Sequence, residues 1–170
     1  MRRTDVLGLF DYTYWVTHRL LDAADRLSPH EFTATATVGT RDLRATLVHE
    51  LDVEWSWRLN LQGKQMDEWG PDEDLSPDDY SDVASLRGHW RRDEAEMRAW
   101  LETLTDDALT APTSSAFTED TRPLWQYLVH ILTHAAQQQA EAAALLTLAG
   151  RSPGDIGYPA YLNATEAPPA

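Results

Sequence analysis

Four long stretches of helical periodicity dominate the sequence, and they constrain its fold more than any other feature. In each stretch apolar residues recur every three or four positions, which is the spacing of one face of an amphipathic helix. The predicted helices run over about 5–27, 41–62, 82–104 and 122–150. No convincing strand alternation appears between them. Helices of this length, joined by connections of unequal length, predict an all-α four-helix bundle.

The connections carry signals for where helices begin. Ser28-Pro29-His30-Glu31 has the pattern of a capping box, and it predicts a short extra helical turn. Thr40 and Thr121 are the predicted N-caps of the second and fourth long helices. The acidic connection from Lys64 to about Tyr80 is long for a compact domain, and loops of this length often have a role of their own.

The length of the chain, 170 residues, fits a single domain. We predict that this domain covers residues 1–163 and that residues 164–170 form a frayed tail. Just before that tail, Ile156, Tyr158 and Tyr161 are expected to pack back on the bundle.

Composition excludes several classes of function. The net charge of −14 repels phosphate backbones and anionic lipids, so neither nucleic acid nor a membrane is an expected partner. No apolar run approaches the ~18 residues that a membrane span needs. The N-terminus lacks the apolar core of a signal peptide, so a cytoplasmic location is expected. There is no cysteine, which rules out disulfides, thiolate ligands and a cysteine nucleophile.

Three histidines in two distant predicted helices carry the most chemical information. His130 and His134 are four residues apart, so they lie one turn apart on one helix face. His49 comes from the second predicted helix. Imidazoles on facing helices of a bundle are a common kind of metal site. Gln138 and Glu141 continue the face of the pair, and a hydrogen-bonded core pair or a solvated polar edge would give the same spacing.

Several segments, taken in their order and spacing, carry a resemblance to a known family. They are Leu9–Trp15, Leu43–His49, Pro123–His134 and Leu146–Asp155. With them, nearly the whole chain resembles the DinB family, bacterial four-helix-bundle metalloenzymes related to thiol-dependent S-transferases. The resemblance implies metal ligands at His49, His134 and position 138, and places His130 one turn before a ligand. It also implies a metal-dependent transferase or hydrolase that takes a low-molecular-weight thiol and a small-molecule substrate.

Position 138 is Gln138 in this chain, and an amide oxygen is a weaker ligand than imidazole for zinc or nickel. Three outcomes are possible. In the first, Gln138 is a weak ligand or holds a water that coordinates the metal. In the second, His130 joins His49 and His134 in a shifted site, and in the third the residues form a metal-free polar core. The last outcome corresponds to a non-catalytic bundle that binds a small molecule or a protein partner.

Two further side chains are predicted to line the site. Glu141 would be an extra ligand or a catalytic base one turn beyond Gln138. His18 is expected to face inward at the level of Tyr14 and to line the pocket of a cofactor.

Seven Trp residues indicate more apolar surface than one core can hide. Trp55 and Trp57, two residues apart, fall on nearly opposite sides of one predicted helix. This predicts a homodimer.

Overall fold

The computed structural model describes residues 1–33, 41–64 and 75–166. Four long helices form the predicted all-α bundle. The helices are α1 (Arg3–Ala24), α2 (Pro29–Phe32), α3 (Leu43–Leu61), α4 (Val83–Thr103), α5 (Asp106–Thr110), α6 (Leu124–Leu148) and α7 (Tyr158–Glu166). A hairpin of β1 (Pro112–Ser115) and β2 (Thr118–Pro123) precedes α6, and a 3-10 turn over Pro77–Asp79 precedes α4.

Side-chain caps fix the beginnings of several helices. The Asp42 carboxylate accepts a hydrogen bond from the backbone N–H of Ala45 at 2.7 Å and begins α3. The predicted capping box of Ser28 and Glu31 is confirmed at α2. Two predicted caps are not the ones used. Thr40 lies outside the described residues, and Thr121 belongs to β2, so α6 begins after Pro123 without a side-chain cap.

The apolar faces of the long helices meet in two clusters at different levels of the bundle. α6 packs against both α1 and α3, and α4 closes the bundle against α1 and α3. One cluster is built around Leu20, Leu47, Leu51, Leu86 and Leu146. The other is built around Phe10, Met97, Leu101, Leu128 and Ile131. Burial of these stripes is the main source of stability for such helices.

The hairpin between α5 and α6 corrects the expectation that no strands form. β1 and β2 pair antiparallel, with Thr113 opposite Arg122 and Ser115 opposite Thr118. Its residues are polar and largely exposed on both faces, so the sequence shows no alternation of apolar and polar positions. The hairpin lies on the bundle through Phe117, whose ring packs edge-on against that of Trp57 at 4.9 Å.

The segment after α6 returns across α1, as predicted. Arg19 donates a hydrogen bond to the carbonyl of Pro153 at 2.8 Å, and Tyr12 donates one to the carbonyl of Ile156 at 2.8 Å. The Tyr158 and Tyr161 rings of α7 pack against the Tyr12 ring. Residues 164–166, predicted as part of a frayed tail, lie within α7, and residues 167–170 are outside the described part.

Most of the acidic connection lies outside the described residues, at 65–74. At the end of this connection that the structure describes, the backbone N–H of Leu75 donates a hydrogen bond to Asp52 Oδ1 at 3.1 Å, and Tyr80 is buried. Within the described residues, no helix has the length and apolar character needed to span a membrane.

Candidate metal centre

The predicted meeting of His49 and His134 is confirmed. His49 stands on α3 and His134 on α6, and their Nε2 atoms are 3.3 Å apart. The two rings cross nearly edge to face, with centroids 5.0 Å apart. The pair forms because α3 and α6 pack along their length, so half-buried side chains eighty-five positions apart in sequence share one place.

Both imidazoles favour the neutral form. Partial burial, followed by the charge of Arg41, lowers the pKa of His49 below its usual value. Burial, together with the charges of His49, His130 and Arg41, lowers the pKa of His134 to about 4. A neutral imidazole keeps a lone pair, which is the form that binds a metal ion.

The spacing of the two nitrogens fits a shared metal ion. Ligand nitrogens about 2.0–2.1 Å from one tetrahedral Zn²⁺ are separated by about 3.4 Å. The separation of the Nε2 atoms of His49 and His134 is 3.3 Å. The pair therefore fits two positions of such a site without a change in backbone.

Gln138 lies one turn after His134 on α6, and its side chain is 8% exposed. Its Oε1 atom is buried and accepts no hydrogen bond from any described residue. A buried amide oxygen without a partner is costly, and a bound cation or an ordered water would satisfy it. Among the residues that the structure describes, no group of three His, Cys, Asp or Glu side chains is arranged to hold a metal. A third ligand drawn from the described residues would therefore be of another type.

His130 is exposed, and its ring centroid is 6.2 Å from that of His134 and 4.9 Å from that of Trp57. The packing on Trp57 turns His130 toward the hairpin. The described residues therefore give no support to a shifted site built from three histidines.

The structure separates the two remaining predicted site residues. Glu141 is half-buried about two turns after His134 on α6, and its charge opposes the lowering of the pKa of His49. The prediction that His18 faces inward is wrong. Its side chain is 48% exposed and pairs with Glu94 of α4 at 2.7 Å, because the buried stripe of α1 passes beside it through Thr17 and Leu21.

A sequence profile of the DinB family matches residues 1–169. This chain belongs to the DinB family. The resemblance drawn from the sequence is therefore confirmed over nearly the full length. No curated protein matches the chain.

The DinB bundle contains a polar layer that the sequence analysis did not find. Gln139, directly after Gln138, donates through Nε2 to the Glu50 carboxyl at 2.8 Å, to Thr17 Oγ1 at 3.1 Å and to the carbonyl of Thr13 at 3.2 Å. Glu50 is only 1% exposed, and burial raises its pKa well above the usual value. Burial therefore favours the protonated form of the Glu50 carboxyl, and one amide joins α6 to α1 and α3.

The polar layer continues toward α4. Tyr14 donates its hydroxyl to Glu54, and burial together with the charge of Asp93 raises the pKa of Glu54 to about 8. Arg58 forms a buried ion pair with Asp93, with Nε 3.1 Å from Oδ1. Glu50, Glu54 and Arg58 recur at intervals of four on α3, and that regular polar stripe beside the leucines was the signal that could have found them.

Proposed function

We propose that this DinB protein binds a divalent transition metal, zinc or nickel, through His49 and His134, with Gln138 as a weaker third ligand. The observation that carries the proposal is the 3.3 Å separation of two imidazole nitrogens, each on a ring that favours the neutral form. The partnerless Oε1 of Gln138 supports the third position, since amide oxygen can coordinate a cation.

The proposed reaction is a transfer or hydrolysis that uses a low-molecular-weight thiol or water. A bound divalent ion would lower the pKa of that thiol or water and polarise the substrate. The chain has no cysteine, so the thiol comes from outside the protein. Glu141, half-buried on the same helix as His134, is the proposed base that accepts the proton of the thiol or water.

Metal titration of protein purified without a histidine tag tests this function. Calorimetry with Zn²⁺ and Ni²⁺ should give a dissociation constant in the micromolar range or below. His134→Ala removes one of two imidazoles and should weaken binding by about a hundredfold. His30→Ala, at an exposed position on α2, is the matched control and should leave binding unchanged. Wild-type protein that binds neither ion at micromolar concentration contradicts the proposal.

One observation favours a second candidate, a metal-free bundle that binds a small molecule or a protein partner. Position 138 carries an amide rather than an imidazole, and the described residues offer no group of three His, Cys, Asp or Glu ligands. On this reading Gln138→His should create metal affinity that the parent lacks. Equal affinity in the two proteins argues against the metal-free candidate.

A further inference from the structure

A cleft of about 400 Å³ lies between the C-terminal end of α1 and the segment that follows α6. It is lined on the α1 side by Arg19, Asp22 and Arg26, and on the other side by residues 152–154. None of the side chains of the candidate metal centre belongs to this lining. The cleft is therefore a place on the bundle that the proposed function does not use.

Two guanidinium groups converge on the cleft. Arg19 donates a hydrogen bond from Nη2 to the carbonyl of Pro153 at 2.8 Å, and Arg26 donates one from Nη2 to the carbonyl of Ser152 at 3.4 Å. Because these carbonyls belong to consecutive residues, the two positive charges lie close together. Their mutual repulsion is unfavourable unless solvent or an anion lies between them.

Most of the hydrogen-bond donors of the two guanidiniums are unused. Each arginine uses a single N–H in the bonds above, and neither forms an ion pair with a carboxylate in the described part of the chain. Asp22, the acidic residue of the lining, pairs instead with Arg87 of α4 at 3.0 Å. The cleft therefore offers N–H donors whose positive charge is not balanced by its own lining.

Neighbouring contacts hold the donors in place. The Arg19 guanidinium lies over the Trp15 ring, 4.8 Å from its centroid, and Arg151 Nε donates to the carbonyl of Arg26 at 3.1 Å. Ser152 Oγ accepts a hydrogen bond from the backbone N–H of Gly154 at 3.2 Å, which leaves its hydroxyl proton available to a ligand. Donors that are positioned in advance lower the entropic cost of binding.

We propose that this cleft binds the phosphoryl group of a small molecule, with Arg19, Arg26 and the hydroxyl of Ser152 as donors. A phosphate dianion matches two positive charges, and its oxygens point in several directions, so it can accept from both guanidiniums at once. A carboxylate is planar and carries one charge, which a single guanidinium satisfies. The net charge of −14 repels long polyanions, so the ligand is free phosphate or a small phosphate ester.

Titration of metal-free, isotopically labelled protein tests the proposal at a pH where phosphate is a dianion. Inorganic phosphate, glycerol 3-phosphate and acetate are added in separate titrations at constant ionic strength. NMR follows the backbone amides of Ser152 and Gly154 and the Nε–H signals of Arg19 and Arg26. Both phosphates should give saturable shifts, and acetate should give none. Tighter binding of glycerol 3-phosphate assigns the site to a phosphate ester, whereas equal or tighter binding of inorganic phosphate assigns it to free phosphate.

Substitutions of the two arginines localise the binding. Arg26→Gln removes an exposed guanidinium without disturbing the core, and it should weaken phosphate binding by about tenfold. Arg19→Lys keeps the charge but loses the planar fork, so it should weaken binding by a smaller factor. Arg92→Gln is the matched control. Arg92 is exposed on α4 and also donates to a backbone carbonyl, that of Gly88 at 3.1 Å, and its replacement should leave the affinity unchanged.

Three results would overturn the proposal. They are a wild type that shows no saturable shift with either phosphate, a wild type that binds acetate as well as phosphate, and an affinity that falls equally in Arg92→Gln and Arg26→Gln. The last result would mean that only the net charge of the protein acts on the anion. Because the titrations contain no metal, their outcome is independent of the proposed function.

Discussion

Glu54 holds a proton in the folded protein that the unfolded chain would release. Its side chain is 2% exposed, and burial together with the charge of Asp93 raises its pKa to about 8 from an ordinary value of 4.5. Above the unfolded pKa, the folded state therefore binds more protons than the unfolded state does. Under that condition stability falls as pH rises, and the fall ends near the folded pKa. Glu50, also raised, acts in the same direction.

We therefore expect Glu54 to reduce the free energy of unfolding by roughly 3 kcal/mol between about pH 5 and pH 8. Glu54→Gln keeps an oxygen that can accept from Tyr14 but has no proton to lose, so most of this pH dependence should disappear. Urea unfolding at several pH values measures the slope. Glu96→Gln, at an exposed position on α4, should keep the wild-type slope; a Glu54→Gln protein with that same slope would show that Glu54 is ionised in the fold.

At this scale the sequence predicted that His49 and His134 meet, but it did not predict the buried polar side chains around them. The spacing of His130 and His134 and the family resemblance were enough to propose that His49 meets His134. Gln139 and Glu54 were missed, because a carboxyl or amide at helical spacing reads as solvent-facing until the neighbouring helices are known. Only the packing of α3 between α6 and α4 shows that this polar stripe is buried.

At the scale of elements, α3 and α4 are joined through charge as well as apolar packing. The guanidinium of Arg58 and the carboxylate of Asp93 are both nearly inaccessible to solvent. The net contribution of such a pair to the free energy of unfolding is small, because the cost of desolvation offsets the attraction. Removing one partner, however, leaves a buried charge uncompensated.

Arg58→Ala should therefore cost about 3–5 kcal/mol of unfolding free energy. The double substitution Arg58→Met with Asp93→Leu removes both charges and should recover most of that loss. Arg122→Ala breaks an exposed pair with Asp120 on β2 and should change stability by less than about 1 kcal/mol. Chemical denaturation of the four proteins checks the order, and a double variant as unstable as Arg58→Ala would contradict this account.

How accurately each element could be predicted depends on the length of its repeating apolar pattern. The four long helices were predicted to within a few residues, because each carries an apolar stripe over five or more turns. The hairpin and α5 were not predicted, because they are short, mostly polar and lack a repeating apolar face. Their place is set by contacts with α3 and α6, which local sequence does not encode.

For the molecule as a whole, the homodimer stays a prediction. The prediction rests on the expectation that tryptophan side chains are exposed. Trp55 and Trp90 are buried, however, and Trp57 is half-buried against neighbouring rings. The exposed large apolar side chains of the described residues are Met1, Phe117, Leu148 and Tyr158. Light scattering of the purified protein decides the matter. Twice the chain mass of 19.2 kDa confirms the dimer, and a single chain mass contradicts it.

The return of the chain across α1 also limits how the protein can be shortened. Arg19 and Tyr12 donate hydrogen bonds to the carbonyls of residues 153 and 156. Between them Gly154 has a φ of +81°, and a Cβ added there would lie 2.9 Å from the Arg19 guanidinium. A protein truncated after Gly150 would lack these acceptors, and Tyr12 and Trp15 would become exposed to solvent. A C-terminal affinity tag should be attached after Glu166, where it would leave the contacts of this segment with α1 intact.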